Sequence, residues 1–370
     1  MTPHLHWTAG LHHDGSALYV SNPLPRSGEM VTVRLRLPVA APVRSVYLRT
    51  APDGEERLEA MRRVSEDGVS AWWETGLTIT MPRVNYRFKV MSGEGAYWYN
   101  ALGVSRADSP DYYDFKLLAD FAAPAWLEDA VFYQIFPDRF CNGDPSNDVP
   151  AGAWTNHHGV PTQPRAWDQL PLQWNEGGGM DFYGGDLAGI TQQVAMLREL
   201  GVTGIYLNPI FTAYSNHRYD IADYHHVDPH LGGDAALADL RRALDEAGMR
   251  LVLDVTPNHT GNRHHWFLAA QADPTAPTAE FFTFHQHPDD YECWLGHKSL
   301  PKLNYRSERL RAAMYGAPDS VLRRWLQPPY RIDGWRLDVA NMTARQGMQQ
   351  LEHKIWRGAR RAIKADHPDA

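Results

Sequence analysis

The first 120 or so residues alternate apolar and polar positions with a period of two. In VTVRLRLPV (31–39), Val31, Val33, Leu35 and Leu37 fall on one face, and the same rhythm returns in SVYLRT (45–50) and NYRFKVM (85–91). Turn-forming residues lie between these runs, at Pro52-Asp53-Gly54 and Ser92-Gly93-Glu94-Gly95. Short alternating strands with turns between them predict an antiparallel β-sandwich over residues 1–120. The Pro-containing connector DFAAPAWLED then leads to a different pattern.

From about residue 130 the chain repeats strand, loop and helix. AVFYQIFP (130–137) reads as a buried strand, and VTGIYLNPIF (202–211), MRLVLDVTPNH (249–259) and IDGWRLDVA (332–340) as three more. Between them, DLAGITQQVAMLRELG (186–201) and GGDAALADLRRALDEAG (232–248) read as helices, each opened by an Asp and closed by a Gly. SERLRAAMYGAPDSVLRRWLQ (307–327) predicts a helix broken near Pro318, and ARQGMQQLEHKIWRGARRAIKAD (344–366) a final one. Four successive βα units predict a parallel sheet with outer helices, either a (β/α)₈ barrel or an open doubly wound sheet. No glycine-rich phosphate loop follows any of the strands. Two connections, 138–181 and 260–306, are long enough to be functional or to form a small subdomain.

Polar residues gather at the strand ends. After the third strand stand Asp254, Asn258 and His259, and within and after the fourth stand Arg336 and Asp338. Residues two apart in a strand share a face, so Arg336 and Asp338 project together. A guanidinium beside a carboxylate favours its ionised form, as a carboxylate nucleophile requires. Taken alone, the pair is more simply a structural ion pair.

Composition narrows the functional class. With 36 Lys and Arg against 44 Asp and Glu in 370 residues, a net charge of -8 disfavours a nucleic-acid partner held by phosphate contacts. The apolar runs are too short and interrupted to cross a bilayer, and MTPHLHWTAGLHHDG lacks the basic stretch and apolar core of a secretory leader. Two cysteines, Cys141 and Cys293, make no disulfide framework, so the cytoplasm is the simplest location. Thirteen Trp and 17 Tyr suit stacking on flat apolar ligand faces, although the core is their commoner use.

The strand-end clusters do not stand alone. GWRLD (334–338), DVTPNH (254–259) and IYLNPIF (205–211) resemble the short signature regions of the α-amylase superfamily (glycoside hydrolase family 13) of retaining glycosidases. LPKLN (300–304), HRYDIADYHHVDPHLGG (217–233), VFYQIFPDRF (131–140) and FYGGDLAGI (182–190) are similar to its neopullulanase, cyclomaltodextrinase and maltodextrin glucosidase branch. The region around LGHKSLPKLNYRSE looks most like maltodextrin glucosidase. Each motif is weak by itself; their order makes the resemblance strong.

The resemblance implies specific roles. Asp338 is the nucleophile that forms a covalent glycosyl-enzyme, and Arg336 holds it ionised. Tyr219 stacks on the sugar at the cleavage point, with His217 beside it; His259 and Asn258 border the same subsite. Asp254 and Asp220 are structural supports. Residues 121–370 are then part of a (β/α)₈ catalytic barrel with 260–306 as an inserted subdomain, and residues 1–120 a carbohydrate-binding-like domain through which the branch often dimerises. Asn142, Asp144, Asn147 and Asp148, with Gly184 and Asp186 later, match the branch's N-x-D-x-x-N-D and G-x-D calcium pattern, which implies a structural Ca²⁺. From the residues alone, an Asx-rich turn with Asp186 as a helix N-cap is the simpler reading.

One departure and one absence qualify the picture. Asn341 is followed by Met342 where neopullulanase-type members usually carry Glu, which leaves acceptor-side specificity open. A retaining glycosidase needs a second carboxyl, the acid/base, which in this family ends strand five, and the chain reaches HPDA (367–370) where that strand would begin. Neither Glu352 nor Asp366 lies in a motif resembling the acid's. The sequence therefore predicts an α-glucan hydrolase acting on maltodextrins, lacking its acid in this chain and inactive by itself. The alternatives are a cyclomaltodextrinase or neopullulanase with transglycosylation, or a non-catalytic glucan-binding module on an amylase scaffold.

Overall fold

A computed structural model describes residues 6–370. The first five residues of the stretch read for a secretory leader lie outside the described residues. The chain divides into two compact units, Met1–Ala123 and Pro124–Ala370.

The first unit is all-antiparallel. Its strands are β1 (Met30–Pro38), β2 (Val43–Thr50), β3 (Arg57–Glu66), β4 (Ser70–Thr78), β5 (Arg83–Ser92), β6 (Gly95–Asn100), β7 (Gly103–Ser105) and β8 (Phe115–Leu118). They form one hydrogen-bonded sheet in the order β1-β4-β3-β2-β5-β6-β7, with β8 also paired to β5. The two halves of the expected sandwich are joined along one hydrogen-bonded path, and β3 is the link. Arg57–Met61 pair with β2, while the residues from Arg62 onward pair with β4 across a register shift. Val31, Val33, Leu35 and Leu37 of β1 share one buried core with Val46 and Leu48 of β2 and with Tyr86, Phe88 and Val90 of β5. The period-two pattern was therefore a true record of which face is buried.

In the second unit, β9 (Phe132–Ile135), β10 (Gly204–Leu207), β11 (Arg250–Val255) and β12 (Gly334–Leu337) form a parallel sheet in chain order. Helix α1 (Leu187–Glu199) lies between β9 and β10, and α2 (Gly233–Ala247) between β10 and β11. α1 is capped by Asp186, which accepts from the Gly189 N–H, and Gly201 follows it at φ +88°. For α2 the expected Asp cap is replaced. Gly232, in left-handed conformation, begins the helix, and Asp234 instead accepts from the Val227 N–H at 2.8 Å.

Two further expectations are corrected and one is met. β9 is not fully buried: it pairs with β10 alone, so Phe132 and Tyr133 are exposed and only Ile135 is buried. The 307–327 segment is helical over Glu308–Gly316, widening at Ala312–Gly316, breaks at 317–320 around Pro318 as expected, and resumes over Val321–Arg324. The final helix, α4 (Glu352–Asp366), begins late because Arg345-Gln346 and Gln349-Gln350 pair as a small hairpin. Residues 260–306 fold as α3 (His265–Ala272) followed by two short hairpins. No helix among the described residues is long and apolar enough to cross a membrane.

The two faces of the parallel sheet differ in kind. Ile205, Leu207, Leu251, Leu253 and Val255 are fully buried with α1 and α2 residues Leu187, Ile190, Leu237, Leu240 and Leu244. The alternate positions are Gln134, Tyr206, Val252, Asp254, Gly334 and Arg336, and register sets Asp254 directly opposite Arg336. An interior of this polarity needs internal hydrogen bonds, because each unpaired buried polar group costs about 1–3 kcal/mol.

Candidate active site

Those hydrogen bonds run across all four strands. Gln134 Nε2 donates to Asn208 Oδ1 at 2.9 Å, and Asn208 Nδ2 donates to the Tyr219 hydroxyl at 3.0 Å. Tyr219 Oη donates to Asp254 Oδ2 at 2.9 Å, and Tyr206 Oη reaches the same oxygen at 2.5 Å. Arg336 Nη1 donates to both oxygens of Asp254, at 3.2 and 3.1 Å, and to Asp338 Oδ1. The Arg336–Asp338 pair expected from the strand period is therefore present, with Asp254 as its buried third member.

Electrostatics follow from burial. Desolvation raises the Asp254 carboxyl above the usual carboxylate range, against the pull of the two phenols and the guanidinium. Burial works against the Arg336 charge too, but the Asp254 and Asp338 carboxylates outweigh it and raise its pKa. Tyr219 is pushed up to about 12 by burial and by the Asp254 charge.

This network borders a cavity of about 590 Å³ whose lining includes His217, Tyr219, Asp220, His259, Trp294 and Asp338. The His217 and Tyr219 rings stack at 5.8 Å, and His217 Nδ1 accepts the Tyr219 backbone N–H at 3.1 Å. Burial lowers the His217 pKa and so favours the neutral ring. His259 stacks on Trp294 at 5.3 Å, and burial brings its pKa down to about 3. Its Nδ1 lies 3.0 Å from Asn258 Nδ2, while its buried Nε2 has no partner among the described residues. A neutral imidazole with a free ring nitrogen at a cavity wall is ready to hydrogen-bond a hydroxyl-rich ligand.

Two of the expected site residues also hold loops in place. The Asn258 carbonyl accepts from Leu303 N–H at 3.0 Å, which ties the end of β11 to the inserted segment. Asp220 accepts from Ser215 Oγ and from the Tyr214 N–H at 3.4 Å, which holds the loop carrying His217. Sequence reasoning missed Tyr206 and Asn208 as members of the network, although both continue the alternating face of β10. It also missed Trp174, His157, His158 and Trp294, which line the cavity from the two long connections.

The Asx-rich cluster sits apart from this network. Asp186 accepts from the N–H groups of Gly143, Asp144 and Gly189 and from Asn147 Nδ2. Asp144 accepts from the Ser146 N–H and hydroxyl. Asn142 Nδ2 donates to Asp148 Oδ1 at 2.8 Å, against Gly184, where a Cβ would lie 2.3 Å from that oxygen. The Oδ1 atoms of Asn142 and Asn147 are buried without a partner. Burial, then the charges of Asp186 and Asp144, raise the Asp148 pKa. Two orphaned amide oxygens beside a crowded carboxylate fit a hard, oxygen-seeking cation such as Ca²⁺. Asp144 and Asp186 are already engaged with N–H donors, and among the described residues no group of three His, Cys, Asp or Glu is placed to hold a metal.

Comparison with known proteins agrees with the geometry. The alpha-amylase catalytic domain family matches residues 134–369. The chain is 34% identical over 325 residues to a cyclomaltodextrinase of Geobacillus thermopakistaniensis, covering 84% of this chain and 50% of that protein. It is 33% identical over 366 residues to neopullulanase 2 of Thermoactinomyces vulgaris, covering 94% and 57%. Among solved structures, the type III pullulan hydrolase from Thermococcus kodakarensis superposes with a TM-score of 0.65 at 27% identity, covering 97% and 60%. The chain thus spans about half the length of the curated relatives it matches. Its motifs, its alternating polar strand face and this match over most of the second unit agree: the chain belongs to the alpha-amylase family of glycoside hydrolases.

Proposed function

We propose that this chain carries the nucleophile side of a retaining α-glucan hydrolase that cleaves α-1,4 bonds of maltodextrins, most like a maltodextrin glucosidase. The observation that carries the reading is Arg336, which joins Asp338 to the buried Asp254 at the edge of the cavity. Asp338 attacks the anomeric carbon as the bond to the leaving glucosyl oxygen breaks. The resulting glycosyl-enzyme is then opened by water with retention. Tyr219 and His217 stack beneath the sugar ring at the cleavage point, and the free His259 Nε2 hydrogen-bonds a ring hydroxyl.

The leaving oxygen needs a proton from a second carboxyl. Of the described residues lining the cavity only Asp220 and Asp338 carry one, and Asp220 serves its own loop. The acid/base therefore comes from outside this chain, and the chain alone is inactive. In the same reading β9 to β12 are the first half of a (β/α)₈ barrel, a structural Ca²⁺ is held by Asn142, Asn147, Asp148 and the Gly184 carbonyl, and the enzyme is a cytoplasmic homodimer formed through its N-terminal unit.

The names of the relatives favour a second reading, with cyclomaltodextrins or pullulan as substrates and some transglycosylation. Product profiles on maltoheptaose, β-cyclodextrin and pullulan separate the two. The primary test is Asp338→Asn in a chain extended to the length of its relatives, which is expected to abolish maltotriose hydrolysis. Hydrolysis at the unaltered rate would overturn the assignment.

A further inference from the structure

We propose that Trp174 is a sugar-binding platform at the cavity mouth that takes the outer residues of α-glucans too long for the cavity. The inference rests on the glucan reading above and extends the site outward.

Trp174 lines the cavity yet is 73% exposed. A tryptophan usually buries about 150–250 Å² of apolar surface, so an indole left in water forgoes much of that gain. A pyranose offers a C–H face that would restore it. The backbone that carries the ring is held in a defined turn. Trp174 opens a single helical turn, Trp174–Gly177, closed at its start by a reciprocal Gln173–Glu176 capping box.

The path from this turn inward is short and continuous. The Gly178 N–H donates to the Trp174 carbonyl at 2.9 Å, and the Asn216 N–H donates to the Gly179 carbonyl at 2.8 Å. Gly178 and Gly179 both have positive φ, +55° and +78°, and the space beside Gly179 is filled by the His217 ring, 3.2 Å from where a Cβ would sit. One lining segment therefore packs on His217 at its inner end and presents a bare indole at its outer end. A chain seated on His217 and Tyr219 and leaving the cavity along this wall meets Trp174.

The test is calorimetric binding of maltotriose and maltoheptaose to this chain, its Trp174→Ala variant and its Trp174→Phe variant. The exposed position makes misfolding of either variant no obstacle. The unaltered chain is expected to bind maltoheptaose more tightly than maltotriose. Trp174→Ala is expected to weaken maltoheptaose about tenfold and maltotriose less than about twofold, and Trp174→Phe to keep most of the difference. An equal loss for both sugars, or no loss for either, overturns the platform while leaving the glucan reading intact. Failure of both sugars to bind the unaltered chain overturns both.

Discussion

Arg336 in β12 faces Asp254 in β11 across directly paired backbone positions, and one guanidinium nitrogen contacts both Asp254 and Asp338. Asp254 is buried, and among the described residues Arg336 is its only charged partner in the hydrogen-bond network. Removing one member of such a pair leaves an uncompensated charge, at a cost of about 3–5 kcal/mol. Arg336→Met is therefore expected to lower the urea midpoint strongly. The Asp254 pKa, already raised by burial, rises further without the cation. A carboxyl with a raised folded pKa is most favourable to folding below its unfolded pKa and loses that contribution as pH rises through the folded value. The deficit of the variant should thus grow from acid toward neutral pH; a pH-independent deficit would show that packing, not charge, is lost.

The buried histidines make the opposite demand on pH. His259 is held near 3 and His13, in the first unit, near 4, both mainly by desolvation. Unfolded histidines take up protons near 6.5, whereas these two stay neutral in the fold. Stability from each is fully present above about pH 6.5 and is lost as pH falls toward the folded value. His259→Gln is expected to flatten the acid limb of a stability–pH curve, because glutamine does not titrate. A curve parallel to that of the unaltered chain would count against the neutral-histidine assignment.

Which of these groups could be read from sequence follows from how each is positioned. Arg336 and Asp338 lie on one strand, and a period of two is enough to put them together. Asp254 and Arg336 are 82 residues apart, and their contact depends on strand register, which one chain's pattern does not state. Tyr206 and Asn208 obey the same alternation as Arg336 and Asp338, so their signal was present in β10. Trp174, His157 and Trp294 reach the cavity from long connections without periodicity, where turns and side-chain hydrogen bonds set direction. Phe132 and Tyr133 show the reverse failure: their composition reads as a buried strand, but burial depends on a neighbour that β9 does not have on its outer edge.

Gly189 offers a test in which helix propensity and packing disagree. It lies in the first turn of α1, where alanine is normally favoured over glycine by about 1 kcal/mol. A Cβ there would stand 2.0 Å from the Cys141 carbonyl oxygen, and backbone cannot yield as a flexible side chain would. The Cys141 carbonyl is itself fixed by accepting the Asp186 N–H at 3.0 Å. Gly189→Ala should therefore destabilise the second unit by about 1–3 kcal/mol, read from its denaturant midpoint. A stabilised variant would mean that the 141–148 loop moves away from α1 at little cost.

That loop also carries the cation test. The orphaned Oδ1 atoms of Asn142 and Asn147 lose hydration on folding and receive no partner in return. A bound Ca²⁺ would satisfy both and offset the burial, and then the Asp186 and Asp144 charges, that raise the Asp148 pKa. Free Ca²⁺ at about a hundred times its Kd is then expected to stabilise the fold by about 2.7 kcal/mol, and chelation to reverse it. Because Asp148 must be ionised to bind the ion, the stabilisation should shrink as pH falls through its raised pKa. Asp148→Asn should weaken the Ca²⁺ response far more than Asp144→Asn, since the Asp144 carboxylate already accepts from Ser146. Terbium luminescence reads binding directly and melting reads its consequence. A loop that binds no terbium and melts identically with and without Ca²⁺ would reduce the cluster to a capped turn centred on Asp186.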